Sequence, residues 1–291
     1  MKERAERQTG SLTVGIVGLG LIGGSMARAY RAADHRVLAT DLNTRAIASA
    51  CDEGVINGIL DRTTLPECDL LLLAVYPAAA TACLSDWADA IKKSTVVLDL
   101  CGTKRRVCDT CFAIAQEHGF DFVGGHPMAG TQFSGFESSR ADLFKGAPMV
   151  LVMPPEARSD LKERVITLLS PIGFGSFSDT TAAAHDRVIA FTSQLAHVVS
   201  NAYVKSPQAQ IHHGFSAGSY RDLTRVAWLN EAMWCELFLE NRDYLSDEID
   251  GIIRALTEYK EALDSEDAAR LKALLREGRI AKENADKGDP S

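Results

Sequence analysis

Two stretches of this chain combine residue types and spacings that can do chemistry. The first is Gly18-Leu19-Gly20-Leu21-Ile22-Gly23, a G-x-G-x-x-G turn. It follows a β-rich run, Val14–Val17, and opens a helical one, Ile22–Ala33. That setting lets such a turn hold the pyrophosphate of a dinucleotide. Gly18 permits the tight turn, Gly20 lets the phosphates approach the backbone, and Gly23 lets helix and strand pack closely. The amides that open the helix, around Leu21 and Ile22, then face the anion. A carboxylate about 20 positions on, where the second strand ends, would accept hydrogen bonds from the ribose hydroxyls. Asp41 stands there, after Val37-Leu38-Ala39-Thr40. It would repel a 2′-phosphate, so the spacing predicts NAD; Arg45 is the nearby feature that favours NADP. Val75 and Tyr76 end another apolar run, on the sheet edge where ligands bind.

The second stretch is Gly124-Gly125-His126-Pro127-Met128-Ala129-Gly130, which follows a short β-rich run, Asp121–Gly124. An imidazole titrates near neutrality and suits proton transfer. The glycines around His126 are expected to leave room for a ligand and to fix the backbone. Cys108 and Cys111 form a CxxC with Cys101 nearby, but no fourth ligand stands at metal spacing. They read as ordinary thiols, and no metal is expected.

The elements that must position these residues change character near residue 180. Strand candidates are Leu12–Val17, Arg36–Thr40, Leu70–Val75, Val96–Leu100, Asp121–Gly124, Met149–Met153 and Gly175–Ser178, alternating with helical stretches. Several are nearly continuous apolar runs, as in strands buried on both faces of a parallel sheet. The pattern predicts an α/β fold, a Rossmann-like doubly wound domain over residues 12–179. Residues 1–11 read as a disordered tail and 180–291 as an all-helical domain. Within it, Thr180–Tyr203 fits one long helix, Ser206–Tyr220 a loop, Leu223–Ala262 further helix, and Ser265–Ala285 a last helix with Ser265 as its N-cap.

Composition limits the partners. The chain has 291 residues, with Lys+Arg 31 against Asp+Glu 39 and a net charge of −8. Such a chain is a poor nucleic-acid binder and lacks a broad polybasic membrane patch. The longest apolar stretch, Leu70–Val75, is far short of a membrane span. Seven cysteines, an odd number in a chain able to bury a large core, point to the reducing cytoplasm.

The chain resembles the prephenate dehydrogenase family, which includes arogenate and cyclohexadienyl dehydrogenases. The resemblance runs from about Leu12 to Ala262 and is carried by GLGLIGGS at 18–25, DLCGTK at 99–104, GGHPMAG at 124–130, HDRVIAFTSQLAH at 185–197 and GSYRDLTRVA at 218–227. It implies oxidative decarboxylation of prephenate to 4-hydroxyphenylpyruvate in tyrosine biosynthesis, and a homodimer built through the helical domain. It places His126 as acceptor for the ring hydroxyl, Arg225 on a substrate carboxylate and His197 against the substrate. Arg221, four residues before Arg225, could add a second contact or serve only in salt bridges. His185 and Asp186 are expected to orient or support. The role of Lys104, anion binding or helix start, stays open.

Departures from the family pattern carry information. Gly102 stands where many members have Ser, whose hydroxyl can hydrogen-bond near the ring hydroxyl or the nicotinamide; Gly102 has none. Gln194 and Ala196 replace the His and Pro of S-H-L-P-H, which should make the helix more regular. Gln132 stands where members often have Glu; a neutral amide suits the keto acid prephenate better than the ammonium of arogenate. Trp228, Trp234, Phe238 and Tyr244 read as core or subunit interface. A β-hydroxyacid dehydrogenase would share the architecture but commonly needs a lysine on the first long helix of the second domain. Here that helix carries His185 and His197, with Lys205 only at its end. A non-catalytic NAD-binding sensor would need neither His126 nor Arg225.

Overall fold

The computed structural model describes residues 10–131, 133–212 and 214–287. Gln132 therefore lies outside the described residues, as does most of the N-terminal tail. Eight described strands form one sheet: β1 Thr13–Val17, β2 Arg36–Thr40, β3 Gly58–Ile59, β4 Leu70–Leu73, β5 Val96–Asp99, β6 Asp121–Pro127, β7 Pro148–Val152 and β8 Ser176–Asp179. Their order is β3-β2-β1-β4-β5-β6-β7-β8. Neighbours run parallel except β6 and β7, which pair antiparallel with His126 opposite Val150.

Helices α1 Leu21–Ala32, α2 Thr44–Asp52, α3 Pro77–Trp87, α4 Arg105–His118 and α5 Leu161–Leu169 connect the strands. The all-buried runs Leu70–Leu73 and Val96–Asp99 form the centre, which explains their continuous apolar character. One face packs Met26, Ala46, Val165 and Leu169 from α1, α2 and α5. The other packs Ala80 and Leu84 from α3 with Val107 and Cys111 from α4. This is the predicted doubly wound arrangement. The two-residue β3 is too short to leave a periodic signal, and the sequence pattern passes over it.

The chain divides into two compact units, residues up to Asn241 and residues from Arg242 on. The first unit adds α6 Ala182–Ile189, α7 Ala196–Tyr203, α8 Gly218–Thr224 and α9 Glu231–Glu240 to the sheet. The expected long helix over 180–203 is interrupted: Ala190–Leu195 forms a π-helical turn between α6 and α7. Replacing the family's Pro with Ala196 thus leaves the segment irregular, contrary to expectation. Such turns recur at functional sites because the extra residue rotates everything that follows. The second unit is a hairpin of α10 Arg242–Asp264 and α11 Ala268–Lys287. Asp267, and not Ser265, caps α11, its Oδ1 accepting the amides of Ala269 at 3.0 Å and Arg270 at 2.9 Å. The Ser265 hydroxyl instead donates to the Glu261 carbonyl.

Candidate active site

The glycine turn lies at the carboxyl end of β1, where Gly20 ends the approach to α1. Gly18 has φ of +94°, and a Cβ there would lie 2.5 Å from the Ala74 carbonyl oxygen. A Cβ on Gly23 would lie 1.8 Å from the Gly18 oxygen. These two glycines are required by the turn itself. Gly20 differs: a Cβ there would meet nothing within 4 Å. Packing does not explain that glycine, whereas a ligand lying on the backbone does. The first turn of α1, with Leu21 and Ile22, has no side-chain cap, so its amides point outward without a partner from the cap residue. Asp41 follows β2 and binds the turn directly: Oδ2 accepts the Leu19 amide at 2.6 Å and Oδ1 the Asn43 amide at 2.6 Å. Each oxygen retains a lone pair for a ribose hydroxyl. The residues present fit a dinucleotide.

Val75 lies against Gly18, and Tyr76 is the half-exposed N-cap of α3. Next along the same edge is Gly102, after β5. A Cβ there would lie 3.5 Å from the Leu237 side chain and 4.0 Å from His126 Nε2. His126 itself lies within β6, not after it, and is partly buried. The neighbouring glycines serve packing: a Cβ on Gly124 would lie 2.5 Å from Cys108 Sγ, and one on Gly125 2.7 Å from the Asp99 carbonyl oxygen. Gly124 and Gly125 thus make room for packed neighbours and not for a ligand, contrary to expectation, whereas a Cβ on Gly130 would meet nothing within 4 Å.

Behind His126 stands a buried polar chain. His126 Nδ1 is 2.9 Å from His185 Nε2, and His185 Nδ1 is 2.7 Å from Asp186 Oδ1. The amides of Lys104 and Arg105, at the start of α4, donate to Asp186 at 2.7 and 2.9 Å. Lys104 is fully buried; its ammonium pairs with Asp99 and donates to the Gly125 carbonyl at 2.7 Å. It therefore braces β5 against β6 and is not presented to an anion. Burial above all, then the neighbouring His185 and Lys104, push the His126 pKa well below the ordinary 6.5. The imidazole is neutral at physiological pH.

A second cluster surrounds His197. Its Nδ1–H donates to the Ser193 carbonyl at 2.8 Å, leaving Nε2 as acceptor, and its ring stacks on Trp234 with centroids 3.9 Å apart. Burial chiefly, with the nearby Arg225 charge adding to it, lowers its pKa. Arg225 is exposed at the end of α8. Helix α9 joins the two clusters: Trp234 stacks on His197, and Leu237, about one turn further on, covers Gly102 beside His126. Trp234 is thus part of the site wall, while Trp228 is exposed. Gln194 is buried, donating to the Leu237 carbonyl at 3.1 Å and accepting from Asn241 at 2.9 Å. Arg221 lines a different cavity, of about 420 Å³, with His212, Ser216 and Tyr220. The sequence motifs gave no sign of the contacts made by Leu237, Glu236 and Glu240. Glu236 accepts the Ala78 amide at 2.9 Å, and Glu240 accepts the Thr103 hydroxyl at 2.5 Å. The cysteines of the CxxC are buried thiols, Cys111 pushed up to about 12 by burial.

Residues 26–173 match the family described as prephenate dehydrogenase, nucleotide-binding domain, and residues 181–277 match the prephenate dehydrogenase dimerization domain. A cyclohexadienyl dehydrogenase of Zymomonas mobilis is 32% identical over 92% of this chain and 94% of its own length. A prephenate dehydrogenase of Bacillus subtilis is 29% identical over 89% of this chain and 72% of its own. Among solved structures, a prephenate dehydrogenase from Aquifex aeolicus, in complex with hydroxyphenyl propionate and NAD+, is similar with a TM-score of 0.82. It is 25% identical and covers 96% of this chain and 100% of its own.

Proposed function

The chain belongs to the prephenate dehydrogenase family of NAD-dependent dehydrogenases, and we propose that it converts prephenate to 4-hydroxyphenylpyruvate, a step of tyrosine biosynthesis. The observation that carries this is the place of His126, whose Nε2 lies beside Gly102 on the edge that also holds the glycine turn; burial, which lowers its pKa, favours the neutral ring that can accept a proton. The α1 amides at Leu21 and Ile22 would hold the pyrophosphate, Asp41 the ribose, and the edge at Val75, Tyr76 and Gly102 the nicotinamide. When bound there, NAD+ would supply the acceptor for the hydride of the carbinol carbon. His126 Nε2 accepts the ring hydroxyl's proton as that oxygen gains ketone character. Loss of CO₂ makes the ring aromatic, and the proton returns from Nε2 to the phenolic oxygen.

Two substrate carboxylates need cations despite the net charge of −8. Arg225 suits one, because a guanidinium fork matches a carboxylate. His197 is not the second cation: its Nδ1–H is taken by the Ser193 carbonyl and its pKa is lowered, so it contributes a neutral ring, stacked on Trp234, to the wall of the substrate site. Arg221 is the more remote candidate, since it faces its own cavity. The neutral amide of Gln132 favours prephenate over arogenate by charge. In functional terms the border falls near residue 180, with cofactor binding in 12–179 and the substrate wall and dimer contacts beyond it. A homodimer is supported by the dimerization-domain match and by the exposed apolar side chains Ile253, Leu256, Leu263 and Leu275 on the α10–α11 hairpin. No described helix is long and apolar enough to cross a membrane. The cytoplasm is the proposed setting, where the seven free cysteines would stay reduced.

The test is the initial rate of NADH or NADPH formation with prephenate and with arogenate, each against NAD and NADP. Prephenate with NAD should lead the other three pairs. Equal use of arogenate would favour a cyclohexadienyl dehydrogenase and remove the Gln132 argument. No turnover of either substrate would overturn the proposal.

A further inference from the structure

We propose that Asp186 and His185 are positioning residues that fix the tautomer of His126, holding its Nε2 as a bare acceptor and taking its Nδ1 proton during turnover. The inference rests on His126 being the acceptor for the substrate hydroxyl, and it adds the reason that this imidazole can act so.

The argument starts at the buried end. Asp186 Oδ1 accepts the Lys104 amide, and Oδ2 accepts the Arg105 amide at 2.9 Å and the Arg105 Nε at 3.3 Å. A backbone amide and a guanidinium cannot reverse their direction. Burial works against the charge of Asp186, yet hydrogen bonds from His185, Arg105 and Lys104 keep its pKa below the ordinary carboxylate value. An ionised carboxylate only accepts, so His185 Nδ1, 2.7 Å away, carries the proton. In a neutral imidazole the other nitrogen is then bare. His185 Nε2 therefore accepts, and His126 Nδ1, at 2.9 Å, must donate to it. That leaves His126 Nε2 without a proton, on the side that faces Gly102.

The partners have little freedom to choose otherwise. His185 and Asp186 are buried, and Asn241 donates to the Asp186 carbonyl at 2.8 Å while Arg105 donates to Asn241 at 2.9 Å. Neutral histidine in water prefers its proton on Nε2, so the relay imposes the less common tautomer on both rings. During turnover an N–H bond forms at His126 Nε2 as the substrate O–H breaks. The His126 Nδ1–H bond breaks as one forms at His185 Nε2. The positive charge then rests on His185 beside the Asp186 carboxylate, instead of on His126 near the Lys104 ammonium. Return of both protons restores the starting state, so no net proton is consumed.

The experiment uses the full-length protein labelled with ¹⁵N-histidine. Two-bond proton–nitrogen spectra report the tautomer, with His126→Gln and His185→Gln assigning the signals. Both rings should carry their proton on Nδ1. In Asp186→Asn the amide oxygen serves the two fixed donors at Oδ2 in preference to the one Lys104 amide at Oδ1, so the NH₂ group faces His185 and the Lys104 amide loses its acceptor. Both rings should then move their proton to Nε2, and kcat should fall at least about 100-fold with the KM for NAD unchanged. His185→Gln keeps an acceptor that orients His126 Nδ1–H but no base to take its proton, so its kcat should fall, though less than that of His185→Leu, which loses both and should fall as Asp186→Asn does. A wild-type His126 protonated on Nε2 would overturn the relay, as would an Asp186→Asn enzyme with wild-type kcat, or equal activity in the Gln and Leu variants. The spectra need no substrate. An Nδ1-protonated His126 in a protein that leaves prephenate untouched would thus support the relay while removing the proposed function.

Discussion

Gly20→Ala separates the cofactor's needs from the needs of the fold. Gly20 has φ of −76° and ψ of −160°, extended backbone that alanine adopts freely. The added Cβ meets no atom within 4 Å. Alanine restricts the unfolded chain and so stabilises by about 0.4–1 kcal/mol. As an N-cap it is poorer than glycine by an amount of the same order, roughly 1 kcal/mol. The two effects nearly cancel, and Tm should move by no more than about 2–4 °C. NAD binding should respond very differently, because the methyl group stands where the pyrophosphate must meet the α1 amides. One hydrogen bond to a charged group is worth about 1.5–3 kcal/mol, so Kd should rise roughly 10- to 150-fold. Calorimetric titration with NAD and a thermal melt of the same sample measure both quantities. Gly23→Ala is the contrasting control: its Cβ would lie 1.8 Å from the Gly18 oxygen, so it should lose stability together with binding. If Gly20→Ala bound NAD as tightly as the wild type, the free space at Gly20 would not be the path of the pyrophosphate, and the cofactor assignment to this turn would fail.

Three further outcomes are expected. Asp41→Asn can satisfy only one of the amides of Leu19 and Asn43 and loses the charge that excludes a 2′-phosphate; the ratio of kcat/KM for NAD over NADP should drop about tenfold or more, and an unchanged ratio would show that another group reads the ribose. Arg225→Ala should raise the KM for prephenate about 10- to 150-fold with little change in kcat, and should raise the His197 pKa measured by NMR, because Arg225 helps to lower it; a fixed KM would mark a structural arginine. The pH profile follows from His126, which must be neutral to accept a proton. Its depressed pKa means that kcat stays flat as pH falls through 6.5 and declines only at lower pH. By the same sign, the stability that this buried neutral group contributes is complete above 6.5 and is lost as pH falls from there toward its folded value; His126→Gln should flatten that part of the stability curve. An acid limb of kcat at or above 6.5 would refute the assignment.

Local patterns made much of the protein legible. The glycine turn is readable because its constraints act within six residues: Gly18 needs a positive φ and Gly23 a close backbone approach. The central strands are readable because burial on both faces forces continuous apolar runs. Elsewhere local patterns misled. Gly124 and Gly125 look like a ligand loop, yet they make room for Cys108 and the Asp99 backbone, which are distant in the chain. Ser265 looks like a cap, but the tight turn before α11 brings Asp267 to that position. The π turn at 190–195 has no signature in the hydrophobic period.

Local sequence is enough to show that a dinucleotide turn opens a doubly wound sheet, that Asp41 ends its second strand, and that motifs bearing His126, His197 and Arg225 follow in order. Those are properties of short segments, fixed by backbone sterics and side-chain period. Which groups meet is a matter of how the chain folds in three dimensions. Folding set His126 against His185, 59 positions away, and brought the α4 amides to Asp186, about 80 positions from them. It also ran α9 from His197 to Gly102. The direction of a proton along a chain of imidazoles depends on every donor at its far end. Spacing along the sequence carries no record of those donors, because folding alone brings them within hydrogen-bond distance.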